Sequence, residues 1–208
     1  MPATNLTVRP PKQQRSRESY GRVLDAAHDL LEENGFEGFT VHEVAARASV
    51  SVGAIYERFG NKESLLRTVH ARLMEAMAAH GGEEVAAAPE SAAEVIALLV
   101  RRVAATMSAH RAILRAFMHL GALDEVISSR GSLESVAVSR QFKEALKPYS
   151  SQFRHADPEI AMDVAFRLTY STLARQVMYG PLFESDFELG WDQLTAELAD
   201  VCTAYLLG

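Results

Sequence analysis

Residues 40–66 read TVHEVAARASVSVGAIYERFGNKESLL, and three helix starts stand inside this one stretch. Thr40 and Glu43 have capping-box spacing, Ser51 suits the N-cap of a helix from Val52 to Phe59, and Asn61 caps a further helix that begins KESLL. The first short helix turns Val41, Val44, Ala45 and Ala48 inward, and alanines at 45 and 46 let another helix come close. Ser49-Val50-Ser51 is then a tight turn, and Gly60-Asn61 breaks the second helix. Helices this short, joined by turns this tight, make a helix-turn-helix module rather than a metal or nucleotide site.

A helical wheel at about 100° per residue assigns the faces of the second helix. With Ile55 at the origin, Phe59 falls at about 40° and Val52 at about 60°, so Ile55 and Phe59 anchor the core side. Gly53 at about 160° and Glu57 at about 200° point away from it, flanked by Tyr56 and Arg58. The exposed ridge is therefore Gly53 and Glu57, preceded by Ser51 and Ala54 at the helix N-terminus. Glycine there admits a close surface, and free N–H groups at the helix start favour phosphate. Tyr56, Arg58 and Lys62 flank the ridge within reach of phosphates on either side. Glu57 is the awkward residue against a polyanion. Either it accepts from a cytosine amino group or it repels wrong sequences.

Upstream, Tyr20, Val23, Leu24, Ala27, Leu30 and Leu31 form a helical stripe, with Ser16 as its expected cap and Gly35 at its C′ position. Residues 1–15 read as a flexible basic arm. Up to Arg22 five cations (Arg9, Lys12, Arg15, Arg17, Arg22) stand against Glu18 alone, although the chain carries a net charge of -6. Such an arm is either a solvated tail or a source of phosphate contacts beside the module.

Downstream, the pattern is all helical. Expected helices span 91–110 (Val95, Leu98, Leu99, Val103, Met107), 111–120, 123–149, 157–179 after the Asp157-Pro158 start signal, and 188–207 with Leu194, Leu198, Val201 and Tyr205 at core spacing. Residues 80–91, HGGEEVAAAPES, read as a flexible joint. The expected fold class is all-α, with an arm at 1–15, a DNA-binding module at 16–66 and a larger helical effector-binding and dimerisation domain at 67–208. The single cysteine, Cys202, excludes an intrachain disulfide and reads as a core thiol. With no apolar leader and no long uncharged apolar run, the chain is expected to be cytoplasmic without a membrane partner.

The pattern T-V-x-E-V-A-x-x-A-x-V-S-x-G-x-I-Y-x-x-F-x-N-K-E-x-L over Thr40 to Leu65 resembles the DNA-binding domain of TetR-family transcriptional regulators. The resemblance implies a homodimer that places the second helix of the motif in the major groove of a pseudo-palindromic operator. It also implies release by a small molecule bound in the C-terminal domain. By this resemblance Thr40, Tyr56 and Lys62 look like phosphate contacts, and His42 reaches a base or a phosphate. Val52, Gly53, Ala54 and Glu57 take base-facing places, with Ser51 capping their helix. Ser49 departs from the glycine usual in this turn, and Arg58 replaces a histidine or tyrosine, which should add phosphate affinity.

Candidate effector residues in the C-terminal helices are Met107, Phe117, Met118, Phe142, Tyr149, Tyr170 and Met178, whose character points to a hydrophobic or aromatic molecule. Arg175, a charge between apolar turns, either pairs with an acid at a dimer interface or holds a ligand carboxylate. The helices 157–179 and 188–207 are by resemblance those that pair between protomers, with Ala161, Ala165, Ser171 and Ala174 suited to close packing. His70 and His80, or His110 and His119, lack metal-ligand spacing, and no catalytic motif stands out. No metal, cofactor or enzymatic activity is expected. A ligand-responsive regulator, most simply a repressor, is the leading reading. Its alternative is an architectural or division-site DNA-binding protein without an effector.

Overall fold

The computed structural model describes residues 14–80 and 89–208. The arm expected at 1–15 (save the first two residues of α1) and most of the joint expected at 80–91 lie outside them. Every regular element among the described residues is helical: α1 (Gln14–Asn34), α2 (Val41–Ala48), α3 (Val52–Phe59), α4 (Lys62–His80), α5 (Ala92–Ala109), α6 (Arg111–Gly121), α7 (Glu125–Leu146), a 3-10 turn (Lys147–Gln152), α8 (Pro158–Tyr179) and α9 (Trp191–Leu207). None of these helices is long and apolar enough to cross a membrane.

The chain forms two compact units. The first unit holds the described residues up to Ala76 together with Ala112–Gly131, and the second holds Met77–Arg111 and Ser132–Gly208. The divisions fall within α4, after the first residue of α6 and, in α7, after Gly131, where the sequence suggests a kink.

In the first unit, α1 packs on α2 and α2 on α3. Val23, Leu24, Ala27, Leu30 and Leu31 of α1 meet Val41, Val44, Ala45 and Ala48 of α2 and Ile55 and Phe59 of α3, all buried. Tyr20 stacks on Phe59 with ring centroids 5.5 Å apart. The Thr40 hydroxyl accepts from the Glu43 N–H and donates to the Glu43 carboxylate, so Thr40 caps α2. The Ser51 hydroxyl accepts from the Ala54 N–H at 3.1 Å, and the Asn61 side chain accepts from the Ser64 N–H at 2.8 Å.

The turn between α2 and α3 carries a cost. Ser49 adopts φ 55° and ψ 48°, the only left-handed non-glycine residue among those described. Its N–H and that of Val50 close on the carbonyls of Ala46 and Ala45, so two free ends of α2 are satisfied by this geometry. Deeper in the unit His70 of α4 is buried, its ring 4.8 Å from that of Phe117 on α6.

In the second unit α5, α8 and α9 pack against one another. Ser91 caps α5, and Asp157 caps α8 as expected. Thr169 and Cys202 approach within 3.5 Å and both donate to the Ala165 carbonyl, which marks the close approach of α8 and α9. Burial holds the Cys202 thiol above its ordinary pKa.

Three expected faces need correction. α9 buries Thr195, Leu198, Ala199, Cys202 and Leu206, while Val201 is 51 % exposed and Leu194 and Tyr205 are half-buried. This helix is apolar on two faces, and the one rich in small residues allows the closer approach. On α8, Ala161 and Ala165 are buried inside the unit, so of the small residues expected at a dimer face only Ser171 and Ala174 retain exposure. On α5 the buried stripe includes Ile96, Val100 and Ala104, and Leu98 is half-buried.

Ser49→Gly should raise stability by about 1 kcal/mol, because the left-handed conformation penalises a side chain. Urea denaturation measures it, and a loss of stability would contradict the cost assigned to Ser49. Burial, aided by the Arg130 charge, pushes the His70 pKa down from 6.5 to about 4, against the weaker pull of Asp124. The folded state thus prefers neutral His70. That contribution is complete above pH 6.5 and falls by ~3 kcal/mol on acidification to pH 4. Urea titrations of wild type and His70→Phe across this range should show the acid-dependent slope shrinking in the variant.

Candidate nucleic-acid interface

The exposed surface of the helix-turn-helix is assembled from α2, α3 and the start of α4. Burial of Ile55 and Phe59 fixes the rotation of α3, which leaves Gly53, Ala54, Tyr56 and Glu57 exposed and Val52 half-buried. Tyr56 is 45 % exposed, a large value for a tyrosine beside a packed core. A Cβ added at Gly53 would meet only the Ser51 hydroxyl, at 3.9 Å, so nothing inside the module requires glycine. Ser51, Thr40 and His42 are exposed, the first two as helix N-caps and His42 on the first turn of α2. The wheel and the structure agree on this ridge.

They differ over the cations beside it. Sequence reading assigns Arg58 to phosphate, but its guanidinium donates to the Ser16 carbonyl at 2.8 Å and the Ser16 hydroxyl at 2.7 Å. Ser16 is therefore not the cap of α1, which starts earlier, at Gln14. It is the point where α1 is tied to α3. Lys62 likewise donates to the Phe39 carbonyl at 2.8 Å and lies 4.9 Å and 5.3 Å from the ring centroids of Phe36 and Phe39. Arg22 donates to the Ala48 carbonyl at the start of the turn, and Arg47 forms a two-bond pair with Glu33. Arg67 pairs with Asp124 and Arg72 with Asp25, and Arg17 also has a partner within the chain. Every cation from Arg17 to Arg72 is thus engaged internally. The spacing of charges in sequence gives no sign of this, because the partners are distant and several are backbone carbonyls.

The effector candidates do not form one group. Phe117 (buried) and Met118 (half-buried) belong to the first unit, and the other six belong to the second. There, Phe142 and Tyr170 share one neighbour, Phe166, at 5.6 Å and 5.5 Å between ring centroids. Met107 is buried on α5, while Tyr149 and Met178 are half-buried. Arg175 is not a buried charge. It is exposed, pairs with Glu184 at 3.2 Å and lies over the rings of Tyr179 and Phe183. The solvated ion pair removes the physical reason for assigning it a ligand. Among the described residues no group of three or more His, Cys, Asp or Glu side chains comes together.

Paired short helices presenting a capped, glycine-bearing helix outward define a helix-turn-helix DNA-binding regulator. Residues 23–69 match the family model described as bacterial regulatory proteins, tetR family. The chain thus carries, over residues 23–69, a DNA-binding module of the TetR-family kind. It is similar to the fatty acid metabolism regulator protein of Bacillus subtilis, 25% identical over 177 residues that cover 81% of this chain and 82% of that one. The A-factor receptor protein of Streptomyces griseus is 31% identical over 58 residues, 28% of this chain and 21% of the receptor. Among solved structures, a putative transcriptional regulator from Saccharomonospora viridis in complex with choline shares the fold, with a TM-score of 0.74 and 18% identity over 94% of this chain and all (100%) of that one.

Arg58→Ala should cost about 1–2 kcal/mol of stability by freeing Ser16, while leaving the salt dependence of DNA binding unchanged. Unaltered stability with a flatter salt slope would return Arg58 to a phosphate role.

Proposed function

We propose that the chain is a dimeric repressor that binds a pseudo-palindromic operator and is released by a small molecule. The observation that carries the DNA-reading part is the outward ridge of α3. Gly53, Ala54 and Val52 bring backbone and small side chains against base edges, and Glu57 accepts from a cytosine N4 amino group. Thr40, Tyr56 and the N-terminus of α3, capped by Ser51, receive phosphate oxygens, with His42 beside them. Lys62 keeps its ammonium on Phe39 and offers its remaining N–H groups to phosphate. The basic arm, with Arg9, Lys12 and Arg15, supplies counterion release that the engaged cations of the module supply less readily.

Dimerisation is supported by apolar side chains left outward on α8 and α9. Ile160 is 62 % exposed, and Leu168 and Val201 are also exposed, on the two helices expected to pair between protomers. Exposed apolar faces of this kind are stabilised when a second copy covers them. The choline complex of the Saccharomonospora viridis regulator supports an effector in a protein of this fold.

The reading is tested by fluorescence anisotropy with the DNA immediately upstream of the chain's own coding region, in the presence and absence of a small-molecule panel. Binding with two chains per palindrome, weakened by at least one compound, is expected. Binding unaffected by any compound would favour an architectural role, and no binding to any palindrome there would oppose local autoregulation. Glu57→Ala should remove discrimination of about 1–3 kcal/mol at one position per half-site. Tighter binding to every DNA with unchanged preferences would reduce Glu57 to a repulsive residue.

A further inference from the structure

Gly180 ends α8 at φ 81° and Pro181 follows, so the chain leaves the helix sharply. Three ties then hold the connection to α9 against the last turns of α8. The Gln176 amide donates to the Leu189 carbonyl at 3.1 Å, Arg175 pairs with Glu184 at 3.2 Å, and the Tyr179 and Phe183 rings stack with centroids 4.4 Å apart. The Arg175 guanidinium lies 5.2 Å and 4.8 Å from the centroids of the same two rings. A connection pinned in this way nevertheless leaves Leu182, Phe183 and Phe187 outward, 56 %, 58 % and 65 % exposed, beside Tyr179 at 50 %. Apolar groups fixed outside a core mark an interaction surface, and a pinned loop loses little further freedom when it binds.

This patch continues the outward face of α8. On a helical wheel Ile160, Val164, Leu168, Ser171, Arg175 and Tyr179 fall within about 100° of one another. Each of the six is exposed or half-buried. The face is apolar at both ends, with Ile160 and Val164 at one and Tyr179 with the loop rings at the other, and small at its middle, Ser171. That order is self-complementary. Laid end for end on a second copy, Leu168 meets Arg175, Val164 meets Tyr179 and Ile160 meets Phe183, since each pair lies equally far on either side of positions 171 and 172. A twofold axis generates this antiparallel arrangement, and a small residue at the crossing lets the two helices come close. Ile160, Leu168 and Val201 alone fall short of the about 800 Å² that a stable interface takes from each partner. The four half-exposed side chains at Tyr179, Leu182, Phe183 and Phe187 add on the order of 400 Å².

We propose that the α8–α9 connection is an aromatic latch for a second copy of this chain, with the partner's Ile160 seated against the Tyr179 and Phe183 rings and Ser171 beside the twofold axis. This rests on the dimer reading above and adds to it the register of pairing and the segment that selects the partner. A chain lacking either the aliphatic or the aromatic end leaves the opposite end of its partner uncovered, so pairing favours identical chains.

The test uses the full chain. Sedimentation equilibrium should show a wild-type dimer, and Phe183→Ser, a change at an exposed side chain, should weaken it at least tenfold with an unchanged far-UV circular dichroism spectrum. Cross-linking with a short bis-maleimide reads the register. Ser171→Cys should cross-link to its own copy, and Ile160→Cys and Phe183→Cys should cross-link when both are present in one chain but not singly. Within a chain those two positions lie at opposite ends of α8, roughly 28 Å apart at 1.5 Å per residue, so the cross-link formed is between copies. The wild type, whose one thiol at Cys202 is buried, is the control. A dimer that Phe183→Ser leaves at wild-type affinity, or in which Ser171→Cys stays uncoupled and Ile160→Cys alone couples, overturns the latch while the dimer reading stands. A wild-type chain that remains monomeric at every concentration overturns the dimer reading itself.

Discussion

An isolated helix of eight residues is not stable in water, so α3 exists because Ile55 and Phe59 are buried against α1 and α2. That single constraint sets the rest of the interface. It fixes the rotation of the helix, and the rotation decides that Gly53 and Glu57 face outward. The Tyr20–Phe59 stack and the Arg58–Ser16 tie then hold α1 against the same helix from the other side. The left-handed Ser49 sets the angle at which α2 hands the chain to α3. Packing, turn geometry and a charged tie all serve to aim one short ridge.

Electrostatics adds a second theme. A DNA-binding module commonly displays free cations, whereas here the arginines and the lysine from Arg17 to Arg72 are bound within the chain. Most serve as ties between α1, α2 and α4 and the loops around them. Under the proposed function, affinity then draws on helix N-termini, neutral side chains and the arm, and Glu57 is tolerated because it contributes discrimination instead of attraction.

Much of the module was legible in the sequence because its signals are local. Capping residues Thr40, Ser51, Asn61 and Asp157 announce helix starts within three or four residues, and the stripes of α1 and α2 have one apolar face each. What escaped is non-local. Arg58 and Lys62 find backbone carbonyls through tertiary packing, and nothing in their spacing distinguishes that from phosphate binding. α9 carries apolar residues on two faces, so periodicity alone could not choose Thr195 and Cys202 over Leu194 and Val201. Arg175 looked buried by its neighbours in sequence but turns to solvent on α8. His70 was weighed only as a metal ligand, because the signal that singles it out, a buried nitrogen without a partner, exists only in three dimensions.

The most direct test of the central claim is the affinity of Gly53→Leu for upstream DNA, measured beside its stability. The space around Gly53 admits a side chain, and leucine favours a helix over glycine, so the variant should fold at least as stably as wild type. If α3 lies against base edges, the leucine holds the helix off the groove, and affinity should fall at least a hundredfold. Wild-type affinity in a folded Gly53→Leu chain would contradict the account, because the outward ridge of α3 would then not be the surface that meets DNA.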